Sequence, residues 1–347
     1  MAKIINGIQQ IGIGAADAKK VFDWYQKQLG FDILVFEDVA PAKLMTRYTE
    51  GSVQNRVALL ALNMVGGGGL EIWQFKDRKP QAPEQPLQLG DLGINAMKIR
   101  SRNLAEFREH LTGLSLDDVK TIYEESHFFF ADPWRNWVQV VREDYSFTST
   151  KYLSGGVLGA LIGVSDMEVS LKFYRKLLGY DTIESDLKGV FNDFADMPGG
   201  KGNFRRVLLK HRKRPVGGFG DLYGPSQIEL VQSLDRSPVP VFKDRMWGDL
   251  GYIHLCFDIR GMDAFRSEAK GLNHPFTVDS ADSFDMGDAA GRFAYVEDPD
   301  GTLIELVETH KVPIFKRLGI HIDLKNRHSE KPLPKWLVKM MRIHRVR

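Results

Sequence analysis

The chain has 347 residues, 43% hydrophobic and 27% charged, with a formal net charge of +2. That balance describes a soluble globular protein too long for one ordinary core, without the basic surplus that nucleic-acid binding needs. No apolar run approaches the roughly 20 residues of a membrane helix, MAKIINGIQQ lacks the apolar core of a secretory signal, and a single cysteine, Cys256, excludes an internal disulfide and points to a reducing cytoplasm.

The first predicted unit opens on the strand-like run IQQIGIGAA, followed by DAKKVFDWYQKQLGFD at 17–32. Asp17 sits where a helix N-cap belongs and Gly30 where a helix ends. The glycine pair in IGIGAAD imitates a dinucleotide fingerprint but lacks its third glycine, so it reads as close packing between strand and helix. Gly66 to Gly69 read as the hairpin turn before LEIWQF. LGINAMKIRSRNLAEFREHL at 92–111 and ADPWRNWVQVVRE at 131–143 form a second unit. Beyond the Ser/Thr/Gly-rich stretch from Tyr145 to Gly156, DMEVSLKFYRKLLGYD at 166–181 repeats 17–32 without a gap. GGFGDLYGPSQ at 217–227 is expected at the rim of a cleft. LGYIHLCFDIRGMDAFRSEA at 250–269 repeats 92–111, and EDPDGTLIELVET at 297–309 repeats 131–143. The chain is therefore four units in the order A, B, A′, B′, each a strand, a helix and about three more strands. The expected division is 1–147, 155–310 and a basic extension, 311–347. In that extension Trp336, Leu337, Met340 and Ile343 are expected to dock on their own domain, in preference to a lipid surface.

One residue in the last strand stands out. Leu303, Glu305 and Val307 share one strand face, and Thr302, Ile304 and Leu306 the other. Both faces are mostly apolar, so Glu305 is a carboxylate expected in a buried strand. Left unpaired it would cost several kcal/mol.

The segments FYRKLLGYD, IHLCFDI and EDPDGTLIELVE resemble the vicinal oxygen chelate superfamily, which includes glyoxalase I, bleomycin-resistance proteins and extradiol dioxygenases. The resemblance spans residues 4 to about 309. It implies an α+β fold of four βαβββ modules, paired into two U-shaped open-barrel halves. A divalent metal is expected in the cleft, held from the first and last strands of each unit. In the C-terminal half those places hold Gly159, Glu229, His254 and Glu305; in the N-terminal half they hold Gln10, Glu71, Asn95 and Gln139. Neutral amides are poor ligands for a divalent cation, so the second half is expected to be active, with Glu229, His254 and Glu305 as ligands. The cation is Zn, Mn, Fe, Ni or Co, all of which accept His and carboxylate. The bland reading has Arg205, Arg206, Arg212 or Arg292 neutralising the glutamates and His254 as a core histidine.

The function expected is a metal-dependent enzyme acting on a small substrate with two vicinal oxygens, of glyoxalase I-like isomerase or lyase type. Glu229 or Glu305 is the proton-transfer base, Glu229 by preference. The alternatives are a ring-cleaving dioxygenase or a ligand-binding protein without chemistry, whose walls would include Trp73, Phe75 and Trp137. Asp285, Arg292 and Tyr295 are candidates for substrate contact or support of the ligands. Cys256, on the His254 face, is a conceivable ligand and more commonly a small buried hydrophobe. His211, His274 and His310 have no spacing that recommends them. A monomer or homodimer is expected, since paired halves need no partner.

Overall fold

The computed structural model describes residues 3–346, apart from 117, 123, 124, 282, 283, 287, 288, 316–319, 325, 326 and 329; side chains at 284–286, 289, 290, 312–315 and 320–322 are also outside the description. The first unit comprises β1 (Ile4–Gly14), α1 (Ala18–Leu29), β2 (Ile33–Pro41), β3 (Asn55–Leu62) and β4 (Gly69–Phe75). The second has β5 (Gly93–Ser101), α2 (Leu104–His110), β6 (Lys120–Ile122), β7 (Glu125–Ala131) and β8 (Trp137–Arg142). The third has β9 (Ser154–Gly163), α3 (Met167–Lys176), β10 (Thr182–Gly189), β11 (Phe204–Lys210), the short α4 (Gly220–Tyr223) and β12 (Gln227–Ser233). The fourth has β13 (Gly251–Arg260), α5 (Met262–Gly271), β14 (Val278–Asp279), β15 (Phe284–Met286), β16 (Ala289–Glu297) and β17 (Leu303–Phe315), with β18 (Ile320–Asp323) and α6 (Lys335–Lys339) in the extension.

Capping follows the sequence signals. The Asp17 side chain accepts from Lys20 N and Gly30 adopts φ 72°; Asp166 accepts from Glu168 N and Val169 N. Each cap removes orphan donors and contributes about 1 kcal/mol. Ala18, Val21, Phe22, Tyr25 and Leu29 form the buried stripe of α1, spaced as one helical face requires. Tyr25 reaches out of its unit to donate to Asp132 Oδ2 at 2.7 Å, and Tyr174 donates to Asp298 Oδ2 at 2.9 Å. The repeated helix tyrosine thus grips the repeated Asp-Pro turn of a different unit.

Strand pairing joins the units in an order that their succession in the chain does not suggest. One sheet runs β14-β16-β17-β13-β1-β4-β3-β2, with β15 on β16 and β18 on β17; the other runs β10-β11-β12-β9-β5-β8-β7-β6. The first therefore combines the first and fourth units and the second combines the second and third. Each sheet takes one unit from each expected half, joined at the antiparallel seams β1·β13 and β5·β9. The largest core cluster includes Ile11, Ile72 and Leu255 of one sheet with Ile99, Val140 and Ile162 of the other.

Gly66 to Gly69 do precede β4, but Gly68 also exchanges backbone hydrogen bonds with Val157 at 2.8 Å. A Cβ on Gly67 would lie 2.5 Å from Gly156 C, so this run ties the two sheets together. The α4 segment expected at a cleft rim instead packs beneath the extension, with Leu222 and Tyr223 buried beside Leu333, Leu337 and Val338. Docking of the extension rests on these residues and partly on Met340, whereas Trp336 and Ile343 remain 64% and 71% exposed. Among the described residues no helix is long and apolar enough to cross a membrane.

Candidate metal centre

Four adjacent strands of the first sheet, β17, β13, β1 and β4, each present one polar side chain to a common point: Glu305, His254, Gln10 and Glu71. Register brings them together, with Gln10 opposite Cys256, Cys256 beside Glu305, and Gly12 between His254 and Glu71. In β13 the pairing slips from Gly12↔His254 to Ile13↔Tyr252, which makes Ile253 an extra, bulged residue. Such a bulge re-aims the side chains beside it. Ile253 accordingly packs with Trp73, Phe75 and Trp247, while Tyr252 faces the main core. The imidazole lies across β1 at Gly12, where a Cβ would stand 2.5 Å from His254 Cε1. That glycine of IGIGAAD is required by the histidine ring, not by a helix.

His254 Nε2 lies 3.2 Å from both Glu71 Oε2 and Glu305 Oε2. The Gln10 amide nitrogen is 3.2 and 3.3 Å from the same two oxygens. Yet Nε2 is fully buried, and among the described residues it has no hydrogen bond of good geometry to either oxygen. A nitrogen and two carboxylate oxygens that converge without bonding one another suit a shared cation. With bonds of about 2.1 Å, neighbouring ligands of one ion stand about 3.0–3.4 Å apart, which these spacings match. The Gln10 amide can present its oxygen by a simple flip. The residues present therefore fit a divalent ion with two carboxylates, one imidazole and one amide.

Electrostatics agree. Burial raises the Glu305 carboxyl; the His254 charge opposes this and the Glu71 charge adds to it. Burial alone would depress His254, but Glu305 and Glu71 outweigh it and raise its pKa. Without a cation Glu305 holds its proton more tightly than a free carboxyl; a divalent ion would relieve this. Cys256, wholly buried with Sγ 3.3 Å from Gln9 Oε1, is raised far above the usual thiol range, by burial first and then by the Glu305 charge. Tyr295 is raised likewise; its hydroxyl is 3.5 Å from His254 Nδ1, long for a bond. Trp247 stacks over His254 at 6.4 Å between ring centres and meets Trp73 edge-on at 4.0 Å.

Glu229 is elsewhere. It lies on β12 in the second sheet, 1% exposed, accepting from Lys98 Nζ at 2.7 Å and Arg206 Nε at 2.7 Å. Burial would raise its pKa, but Arg206 and Lys98 prevail and hold it down at about 2. The expectation that Glu229 shares a cation with His254 is corrected: for this residue the neutralising arginine is real. Gly159 leaves its position vacant of necessity, since a Cβ would lie 1.8 Å from Gln227 O. The matching bulge in β5 falls at Asn95, whose amide bonds Asp91 O, Gly93 O and Gly90 N, so Ala96 takes the place of the histidine. Gln139 is buried beside Lys98. Phe191, Phe194 and Met197 pack over this second concavity.

Of the supporting candidates, Tyr295 and Cys256 adjoin the centre. Arg292 does not: it is committed to Asp279 and Asp263 at 2.8–2.9 Å. Asp285 pairs through its backbone with Ala290, and its side chain lies outside the described residues. His211, His274 and His310 bond Gly179 O, Glu297 O and Glu308. Trp73 and Phe75 wall the centre, whereas Trp137 belongs to the other concavity. Sequence reasoning named Gln10 and Glu71 only as places in an inactive half. The signal that would have joined them to His254 was the pairing of the first unit with the fourth.

The family model described as Glyoxalase/Bleomycin resistance protein/Dioxygenase superfamily matches residues 156–306. No curated protein matches the sequence. Among solved structures, glyoxalase I from Zea mays is similar with a TM-score of 0.52 at 13% identity, over 88% of this chain and 92% of that one. A protein recorded as "putative dioxygenase from Bacillus subtilis" gives a TM-score of 0.58 at 14% identity, over 88% and 86%. At these identities the likeness is one of fold.

Proposed function

We propose, from the premise that residues 156–306 carry a domain of the Glyoxalase/Bleomycin resistance protein/Dioxygenase superfamily, that this chain is a divalent-metal enzyme acting on a small substrate with two adjacent oxygens. Its chemistry is of glyoxalase I-like isomerase or lyase type. The observation that carries the reading is the convergence of Glu71, His254 and Glu305, with Gln10, around a buried imidazole nitrogen 3.2 Å from both acids. A bound divalent ion would supply Lewis-acid polarisation of the two substrate oxygens.

The protein's own groups divide the remaining work. Glu305 and His254 are fixed within the sheet and hold position. Glu71 has the more accessible side chain of the two acids, 13% against 10% exposed, and the Gln10 amide is its one hydrogen-bond donor among the described residues. It is the acid assigned to take a carbon-bound proton next to the substrate carbonyl and return it to the neighbouring carbon. Trp73, Trp247 and Tyr295 exclude water from that transfer. A ring-cleaving dioxygenase is the second reading, favoured by the similar solved fold. The ligand set speaks against it, since the iron facial triad uses two histidines and one carboxylate.

The test is elemental analysis of the purified protein, followed by solvent-deuterium incorporation into α-hydroxyketones and oxygen uptake on catechols. Stoichiometric metal with deuterium incorporation supports the proposal. Oxygen uptake alone would favour the dioxygenase, and protein that binds no metal ends both.

A further inference from the structure

We infer that the cavity beside Trp247 holds a neutral, ring-bearing body of the substrate whose two oxygens reach the metal centre; this rests on the chelation proposed above. The cavity measures about 330 Å³ and lies where the first, second and fourth units meet the connector before β13. Its walls include Leu92, Ile94, Val241, Phe242, Trp247 and Leu303.

Three contacts tie it to the centre. Trp247 lines the cavity and stacks over His254. Ile253, the bulged residue, is the chain neighbour of His254. Leu303 shares a strand face with Glu305 two residues on. The Trp247 indole nitrogen is buried and makes no hydrogen bond among the described residues, which leaves a donor for a ligand oxygen at this junction.

Charge and size narrow the ligand. Arg47 and Arg245 at the cavity are balanced by Glu50 and Asp300. Arg245 gives its two Nη atoms to the backbone oxygens of Gln81, Leu250 and Val241, and its Nε is buried without a hydrogen bond among the described residues. With two cationic and two anionic side chains at its described walls, the cavity carries no net charge and favours an uncharged body. An apolar cavity of roughly 150 Å³ takes up benzene; twice that volume admits two fused rings.

The experiment titrates the purified full chain calorimetrically with 2-naphthol, catechol and 2,3-dihydroxynaphthalene, before and after chelator treatment. The expected result is one-to-one binding of 2-naphthol that survives the chelator and weakens at least tenfold in Val241→Trp, whose indole fills the cavity, with metal content unchanged. Ile94→Phe, at another lining residue, fills it if Val241→Trp does not fold. 2,3-Dihydroxynaphthalene is expected to bind at least tenfold more tightly than 2-naphthol or catechol, an advantage lost with the metal. Absent 2-naphthol binding, or binding undiminished in a folded filling variant, overturns the cavity assignment. Metal-dependent catechol binding without any gain for the fused-ring diol overturns the link while leaving chelation intact. Indifference of both diols to the chelator instead removes the chelation reading, and with it the joint substrate.

Discussion

Cys256 and Lys98 occupy the same point of the two sheets. Cys256 faces Gln10 across one seam and lies beside Glu305; Lys98 faces Gly159 across the other and lies beside Gln139. The lysine ammonium is itself the cation on Glu229, at 2.7 Å. The small thiol supplies none, and the acids around His254 are left for an ion from solution. One consequence is that Cys256→Lys should convert the first centre into a copy of the second. The expected outcome is a folded protein by circular dichroism with less than about a tenth of the wild-type metal content; full metal retention would contradict the equivalence.

Glu71 and Glu229 should separate cleanly. His254→Ala and Glu71→Gln are expected to lose bound metal, while Glu229→Gln keeps it. Glu229→Gln instead leaves Lys98 a buried charge without its acid and takes one of the acids on Arg206, with Asp193 remaining, and should lower unfolding free energy by about 3–5 kcal/mol. Urea unfolding with elemental analysis of all three variants decides it: loss of metal from Glu229→Gln at unchanged stability would restore the reading made from sequence.

Gly12→Ala should act on the imidazole. Its Cβ would meet His254 Cε1 at 2.5 Å and Ile253 Cγ1 at 2.7 Å, so the ring must move. Overpacking of this kind costs about 1–3 kcal/mol. Metal affinity is expected to fall at least tenfold, and titration with a competing chelator measures it. Gly51→Ala, with open space around it but φ 79°, is the control that strains the backbone without touching the centre.

Asp258 gives a pH signature far from the metal. Burial lifts its carboxyl from 3.8 to about 7, against the Asn6 hydrogen bond and the Arg260 charge. Between those values the folded state binds the proton more tightly than the unfolded chain. Stability from this group is therefore largest below pH about 4 and declines as pH rises towards 7, by up to about 1.4 kcal/mol per unit. Asp258→Asn should flatten that slope in unfolding measurements from pH 4 to 8.

The repeat, the helix caps and two of the four converging residues, His254 and Glu305, were legible in the sequence because each rests on a local pattern: spacing, a cap, a carboxylate in an apolar strand. Glu71 and Glu229 were not distinguishable in that way. Both sit at equivalent points of similar strands, and what separates them is Arg206 on the adjacent strand, where the first unit has Ala58, together with Lys98 on a strand of another unit. Which units share a sheet depends on seams that the alternation of apolar residues satisfies either way. The Asn95 assignment failed for a smaller reason: the repeat 92–111/250–269 aligns His254 with Ala96 and Asn95 with the bulged Ile253, a one-residue slip that changes the face.

The seam between β1 and β13 joins residues about 250 positions apart, Ile4 with Arg260 and Gly14 with Gly251. During translation the second sheet is complete once β12 has emerged, but the first sheet then holds only four of its ten strands. Until the fourth unit is made, β1 presents an unpaired edge, the kind of surface that invites pairing with other chains. The emerging polypeptide owns two of the four groups around the imidazole site and cannot yet capture an ion. A cation held by all four groups would therefore bind only after β17 has formed, because a chain stopped before β13 has neither His254 nor Glu305.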